Sequence, residues 1–173
     1  MKRLFKGQQG FTLVEILIAI PIAALISTAA TGLIFQILTS NRASSDMLAF
    51  RQVQTAGDWI SGDALQAQYI DDTWDQPDDN GFPITLTWTD WDNSVHQVVY
   101  DLVAMPSGSL QQLQRQQTID AASSTRIIAE HIDENESQIV YTAAENNVAL
   151  EVTVTIEGQT ASRVYEITPR PLS

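Results

Sequence analysis

The residue with the most unusual setting for its chemistry is Glu15, a carboxylate at the start of an uncharged run from Ile16 to Leu38. As a helix this run would be about 34 Å long, which is enough to cross a bilayer. A charged side chain close to hydrocarbon is costly and usually has a partner. Glu15 is therefore either paired with a cation or hydrated at the membrane interface.

The segment before this run is basic. Lys2, Arg3 and Lys6 lie ahead of Gly10 with no acidic residue among them, and a positive flank normally stays in the cytoplasm. An ordinary secretory signal would be cut after its apolar region at small residues, which the 19–30 stretch offers. The length of the run and the glycine directly before it favour a full membrane span.

The stretch Gly10-Phe11-Thr12-Leu13-Val14-Glu15 resembles the class III signal of type IV pilins and pseudopilins. The resemblance implies that a prepilin peptidase cuts between Gly10 and Phe11 and methylates the new amino group of Phe11. It also implies that this amine pairs with Glu15, in the same chain or in a neighbour, and so aligns an incoming subunit.

Pro21 lies inside the apolar run, where it removes a backbone donor and is predicted to kink or loosen the helix. The hydroxyls of Ser27, Thr28 and Thr31 could satisfy freed carbonyls. Many pilins carry a proline farther along, where this chain has Gly32.

The helix is predicted to continue outward from the membrane segment. Apolar residues recur at the three- or four-residue steps of an amphipathic helix, at Ala43, Met47, Phe50, Val53, Gly57, Ile60, Ala64 and Ala67, with Leu48, Trp59 and Leu65 widening the face. We expect one helix from about Thr12 to about Tyr69, with weak points at Pro21 and Gly57. The alternative is two helices broken near Ser40.

The rest of the chain reads as strands. Alternating apolar and polar residues or β-formers occur at Ile84–Thr89, Val95–Ala104, Leu110–Gln116, Arg126–His131, Ile139–Thr142, Val148–Ile156 and Ser162–Thr168. The predicted fold class is α+β, a long N-terminal helix packed on a mostly antiparallel sheet. This is a pilin-like layout, and it resembles W-type minor pilins or J-type minor pseudopilins.

Four segments follow from these patterns. They are a leader at 1–10, a transmembrane or filament-core helix at 11–40, the amphipathic half of the helix at 41–70, and a β-sheet head at 71–173.

Composition excludes several function classes. The formal net charge is −12, and without the leader six basic residues face 21 acidic ones, a net charge of −15 with no lysine. Such a chain is unsuited to direct nucleic-acid binding, which needs Lys and Arg to displace counterions. There is no cysteine, so disulfides and thiolate metal sites are excluded.

Other candidate residues lie in turn-rich segments. The 71–79 loop carries five aspartates and could hold calcium, but its spacing does not follow an EF-hand, so the sequence favours a solvated loop and no cofactor. His96 and His131 lack the spacing of a metal pair and are expected on strand surfaces. Trp74 and Trp91 sit beside turns and form a candidate ligand patch.

We therefore expect a non-enzymatic structural subunit, a minor pilin or pseudopilin of a type IV pilus or type II secretion filament. The resemblance implies as partners the prepilin peptidase, other pilins, an assembly platform membrane protein, and the membrane before assembly. It implies a single-pass inner-membrane protein with an extracytoplasmic head that later joins a filament. The alternative is a solitary membrane-anchored binding module that uses Trp74 and Trp91.

Overall fold

The computed structural model describes residues 12–71 and 80–170. Gly10, Phe11 and Trp74 therefore lie outside the described residues. The chain divides into two compact units after Asn41.

One α-helix, α1, spans Leu13–Ala64. It contains Pro21, Ser40 and Gly57, so the alternative of two helices broken near Ser40 is wrong. Ser27 and Thr28 donate their hydroxyls to the carbonyls four residues earlier, Ala23 and Ala24, each at 2.8 Å. Pro21 has no N–H, so the carbonyl of residue 17 lacks its usual helical donor. The hydroxyls of Ser27 and Thr28 bond to other carbonyls, which lie later in the helix.

The first unit contains the apolar part of α1. Its large side chains are exposed all round, including Leu13 (81%), Leu25 (71%) and Phe35 (71%). An 18-residue window of α1 has a mean hydropathy of 2.2, so by length and composition the helix could span a membrane. Exposed apolar surface on every face is what a membrane span or a helix buried among other helices requires.

The helix ends earlier than the predicted Tyr69. At its end Ala67 N–H donates to both Asp63 and Ala64 carbonyls, which closes the last turn. Gln68 then bonds to strand residues, with its N–H donating to Thr87 O at 2.9 Å and its side-chain oxygen accepting from Thr89 N–H at 3.1 Å. Through these bonds the chain after Gln68 pairs as a strand of the sheet.

The head is an eight-stranded antiparallel sheet. Its strands are β1 Tyr69–Asp71, β2 Ile84–Thr89, β3 Val95–Ala104, β4 Gln111–Ile119, β5 Ala122–Ile132, β6 Gln138–Thr142, β7 Asn147–Ile156 and β8 Gln159–Ile167, with a 3-10 helix at Glu134–Glu136. The order is β1-β2-β3-β4-β5-β7-β6, and β8 pairs with β7. The predicted α+β, pilin-like fold class is confirmed.

Two strand predictions need correction. β1 was not predicted, because three residues give no periodic signal. The strand predicted at Arg126–His131 begins earlier, because β5 starts at Ala122, and it is an interior strand paired with β4 and β7. Its first residues, Ala122–Thr125, are exposed and small or polar, which hid the strand.

The buried face of α1 is narrower than predicted. Within the second unit it consists of Ser45, Ala49, Val53, Ala56, Gly57, Ile60, Asp63 and Ala64. The predicted members Met47 (59%), Phe50 (51%), Leu48 (47%) and Leu65 (55%) are exposed instead. Small residues face the sheet because they allow the helix to approach it closely, while the larger apolar residues lie on its flanks.

The closest approach is at Gly57. A Cβ atom there would lie 2.0 Å from the Tyr165 ring, and the Tyr165 hydroxyl donates to Val53 O at 3.3 Å. Burial raises the pKa of Tyr165, as expected for a phenol packed on a helix. Glycine at position 57 is therefore a packing requirement and not a weak point of the helix.

Gly57→Ala is expected to destabilise the head by about 1–3 kcal/mol, because the added methyl group displaces the Tyr165 ring. Gly62→Ala is the matched control, since a Cβ atom there meets nothing within 4 Å. In a helix interior that change should stabilise by about 0.5–1 kcal/mol. Thermal unfolding of the detergent-solubilised chain, followed by tryptophan fluorescence, measures both. Equal shifts for the two variants would contradict this account.

Candidate processing and assembly site

Glu15 is held by a reciprocal cap at the start of α1. Its Oε2 accepts the Thr12 backbone N–H and the Thr12 hydroxyl, each at 2.8 Å. The Glu15 N–H in turn lies 3.3 Å from Thr12 Oγ1. This is a capping box, in which two backbone donors that the helix leaves free are satisfied by side chains.

The capping box was missed by sequence reasoning, although a signal for it exists. A Ser or Thr followed three residues later by Glu or Gln before an apolar run is the sequence signature of a capping box. Thr12 and Glu15 have that spacing. Within the described segments, the Glu15 Oε1 atom accepts no hydrogen bond, so half of the carboxylate is available to another donor.

A shallow apolar groove lies next to this carboxylate. It has a volume of about 360 Å³ and is lined by Glu15, Ile16, Ala19, Ile20 and Ala23. Alanines three or four residues apart let another helix approach closely. The structure thus places one carboxylate at the end of a small-residue face on the apolar part of α1.

In the head, a buried ionic cluster joins α1 to the sheet. Arg115 of β4 donates to Asp63 through Nε at 2.7 Å and Nη2 at 3.1 Å. The Tyr100 hydroxyl of β3 donates to the same carboxylate at 2.5 Å. All three residues are at least 92% buried, so the pair has good geometry and little solvent screening.

The surroundings stabilise the charged form of Arg115. Burial alone would lower its pKa, but the hydrogen bonds and charge of Asp63 outweigh this and raise the pKa above its usual value. Burial and the Asp63 carboxylate raise the pKa of the Tyr100 hydroxyl well beyond its usual range. The guanidinium groups of Arg115 and Arg126 lie 5.1 and 5.5 Å from the centre of the Trp59 ring, so Trp59 belongs to this cluster.

Trp91 is 91% exposed at the tip of the β2–β3 hairpin. The tip is fixed by Asp90 N–H donating to Ser94 O at 2.9 Å, and by Asp92 accepting from the Ser94 hydroxyl at 2.6 Å. The hydrogen bonds from Ser94 lower the pKa of Asp92. The predicted pairing of Trp91 with Trp74 falls outside the described residues, so the ligand patch stays a prediction.

Neither histidine is a simple strand-surface residue. His96 stacks on Trp88, with ring centroids 5.1 Å apart, and its Nε2 lies 3.2 Å from Ser94 Oγ. His131 adopts a left-handed backbone with φ 62° at an irregular part of β5. Its Nδ1 is buried and makes no hydrogen bond within the described residues.

The structure provides no independent support for a metal. Among the described residues, no group of three or more His, Cys, Asp or Glu side chains is arranged to hold an ion. Of the 71–79 loop only Asp71 is described, so the calcium alternative remains untested.

Comparison with protein families bears on the N-terminal segment. A family model described as a prokaryotic N-terminal methylation motif matches residues 5–31. The chain carries a class III prepilin signal. The match includes Gly10, Phe11, Glu15 and Pro21 and none of the head.

Prepilins with this signal are processed by a prepilin peptidase and assemble with other pilins, and the exposed apolar helix fits a membrane-anchored pilin. Comparison with curated proteins and with solved structures finds no match.

Asp63→Ala is expected to destabilise the head by about 3–5 kcal/mol, because it leaves the buried Arg115 guanidinium without its carboxylate. Asp58→Ala is the control, since Asp58 lies on the same helix but is exposed, and it should change stability by less than about 0.5 kcal/mol. Chemical denaturation of the full chain in detergent measures the difference. A loss below about 1 kcal/mol for Asp63→Ala would refute the structural role of the pair.

Tyr100 should make stability depend on alkaline pH. The pKa of Tyr100 is higher in the folded state than its ordinary value of 10.0. The stabilisation that Tyr100 gives the folded state is therefore present below that pH and is lost as the pH rises. The slope is about 1.4 kcal/mol per pH unit. Tyr100→Phe is expected to remove this slope between about pH 10 and about pH 11, as measured by denaturation at each pH. Parallel pH profiles of stability for wild type and Tyr100→Phe would contradict this prediction.

Proposed function

We propose that this prepilin is a structural subunit of a type IV pilus or type II secretion-type filament, and a minor pilin or pseudopilin within it. The observation that carries the proposal is the prepilin signal at residues 5–31, which overlaps the start of a helix whose apolar side chains are exposed on every side within the first unit. Burial of those side chains among neighbouring helices would replace their burial in lipid.

The capped carboxylate supports a role for Glu15 in assembly. Cleavage after Gly10 would create an amine at Phe11, one residue before the Thr12 N–H that already contacts Glu15 Oε2. The Oε1 atom is available to the amine of the same chain or of the next subunit. A charge-assisted bond of this kind is stronger than the neutral bonds of the cap.

The same proposal orients the chain. The basic leader stays in the cytoplasm, and the strongly acidic head lies on the extracytoplasmic side. The precursor then waits in the membrane for the assembly platform protein and the other subunits.

A second candidate function is a solitary membrane-anchored binding module, and the exposure of Trp91 favours it. An exposed tryptophan on a hydrogen-bonded hairpin tip is a typical anchor for a partner. Recovery of the mature protein in sheared filaments supports the filament subunit. Its exclusive recovery in the membrane fraction supports the binding module.

Co-expression with a prepilin peptidase should yield a protein that begins at Phe11 and carries one N-terminal methyl group, as determined by intact-mass and N-terminal analysis. Gly10→Val is expected to block this cleavage, whereas Gly7→Val, a matched change within the leader, should not. Glu15→Leu should be cleaved but recovered in filaments at least about tenfold less than wild type, since it lacks the pairing carboxylate. Cleavage downstream of Ala19 would overturn the proposal.

A further inference from the structure

Strand β8 has one edge without a partner. Its other edge pairs with β7 along its whole length, from Gln159 to Ile167. No strand within residues 12–71 and 80–170 pairs with the outer edge. By contrast, the outer edge of β6 has one backbone partner, because Ile139 N–H donates to Asn80 O at 2.8 Å.

The β7–β8 turn identifies which backbone groups are free. Glu157 and Gly158 have φ of 51° and 78°, as in a two-residue type I′ turn. The pair flanking such a turn, Ile156 and Gln159, exchanges both backbone bonds, and bonded and non-bonded pairs then alternate. The free N–H and C=O groups are therefore those of Thr160, Ser162, Val164 and Glu166, which are all exposed.

The side chains agree with this assignment. Thr153 and Ser162 hydroxyl oxygens lie 3.0 Å apart, and those of Thr155 and Thr160 lie 3.1 Å apart. Cross-strand side chains come closest at non-hydrogen-bonded pairs. Ser162 and Thr160 are thus in non-bonded pairs with β7, and their backbone groups point to the outer edge.

This edge carries only part of the usual protection. Natural sheets block exposed edges with proline, charged side chains, bulges or very short strands. β8 has nine residues with no proline or lysine, its register with β7 is continuous, and its charged residues are Arg163 and Glu166. A continuous edge of this length is a template for one further strand whose charges complement it.

An apolar helix flank accompanies the edge. Tyr165 of β8 contacts α1 at Val53 and Gly57. Phe50 precedes these residues by three and seven positions, so it lies on the same side of the helix. Phe50 is 51% exposed and Met47, one turn earlier, is 59% exposed. A strand added beside β8 would place alternate side chains over this flank.

Charge indicates the chemistry of the partner. Residues 42–173 contain 20 acidic and six basic residues. Of the two charged residues of β8, Glu166 is exposed on the free edge, and the Arg163 guanidinium lies over the Tyr165 ring, 5.1 Å from its centre. An opposite charge directly across a strand pair stabilises the pair, and a like charge destabilises it. The strand that fits is basic, with apolar residues at alternate positions.

We propose that the free edge of β8 and the adjoining flank of Met47 and Phe50 bind a basic, extended segment of a partner protein as an added strand. The backbone groups of the four edge residues supply the hydrogen bonds, and the flank receives the apolar side chains. The proposal concerns the head alone and stands whether or not the chain enters a filament.

The test uses the full chain in detergent and a fluorescent, N-acetylated peptide, Thr-Lys-Val-Thr-Val-Thr-Val-Lys-Thr amide, in an anisotropy titration. Wild type should bind it. Val164→Pro removes one edge N–H without breaking a bond to β7, and should weaken binding at least about tenfold. Val164→Thr keeps that N–H and should stay within about twofold of wild type. Unchanged melting of both variants verifies the fold.

Two further probes define the outcome. A peptide with alternate N-methyl amides on its pairing side should not bind, and a peptide with glutamate in place of lysine should bind more weakly. Failure of the unmodified peptide to bind wild type, or equal binding to Val164→Pro, overturns the proposal. So does efficient disulfide cross-linking of Val164→Cys between two copies of this otherwise cysteine-free chain, because the edge would then be occupied by a second copy.

Discussion

The bidentate pair between Asp63 and Arg115 is the interaction on which the head depends. It joins the last turns of α1 to the middle of the sheet, and Tyr100 satisfies the same carboxylate from the neighbouring strand. Because all three groups are buried, each one is stable only in the presence of the others. The pair therefore fixes the position of the helix over the sheet, together with the contact of Tyr165 with Val53 and Gly57. Apolar contacts between small residues such as Ala49 and Ala56 could not define that position alone.

The position of α1 over the sheet determines both which helix residues pack closely and which are exposed. Ala49, Ala56 and Gly57 let the helix approach the sheet, which turns the larger residues Met47 and Phe50 outward. The contact between α1 and the sheet thus combines close backbone approach with the cluster of Asp63 and Arg115, while Met47 and Phe50 on the flank of the helix remain exposed. The first unit uses the opposite arrangement, in which every face of the helix is largely apolar and Glu15 at its start is the single charged residue among those described.

Much of this fold could be predicted from sequence, and the errors have physical causes. Alternation located β2 and β7, and the uncharged run located the helix. The buried face was misplaced because Met47 and Phe50 give a stronger periodic signal than alanines do. Asp63 and Arg115 are 52 residues apart, and a lone charge in a sequence is normally solvated, so no local pattern pairs them. At the N-terminus, the motif identified Glu15, but its Thr12 partner was recognised only from the geometry.

The capping box at Thr12 gives the Glu15 carboxylate two donors before any neighbour arrives. A chain in a bilayer therefore does not expose a bare anion to hydrocarbon. An amine that docks at Oε1 would then add a bond to this carboxylate while the two donors on Oε2 stay in place. The selectivity of such a contact would come from the full positive charge that the amine brings, which the neutral amide and hydroxyl of the cap do not supply.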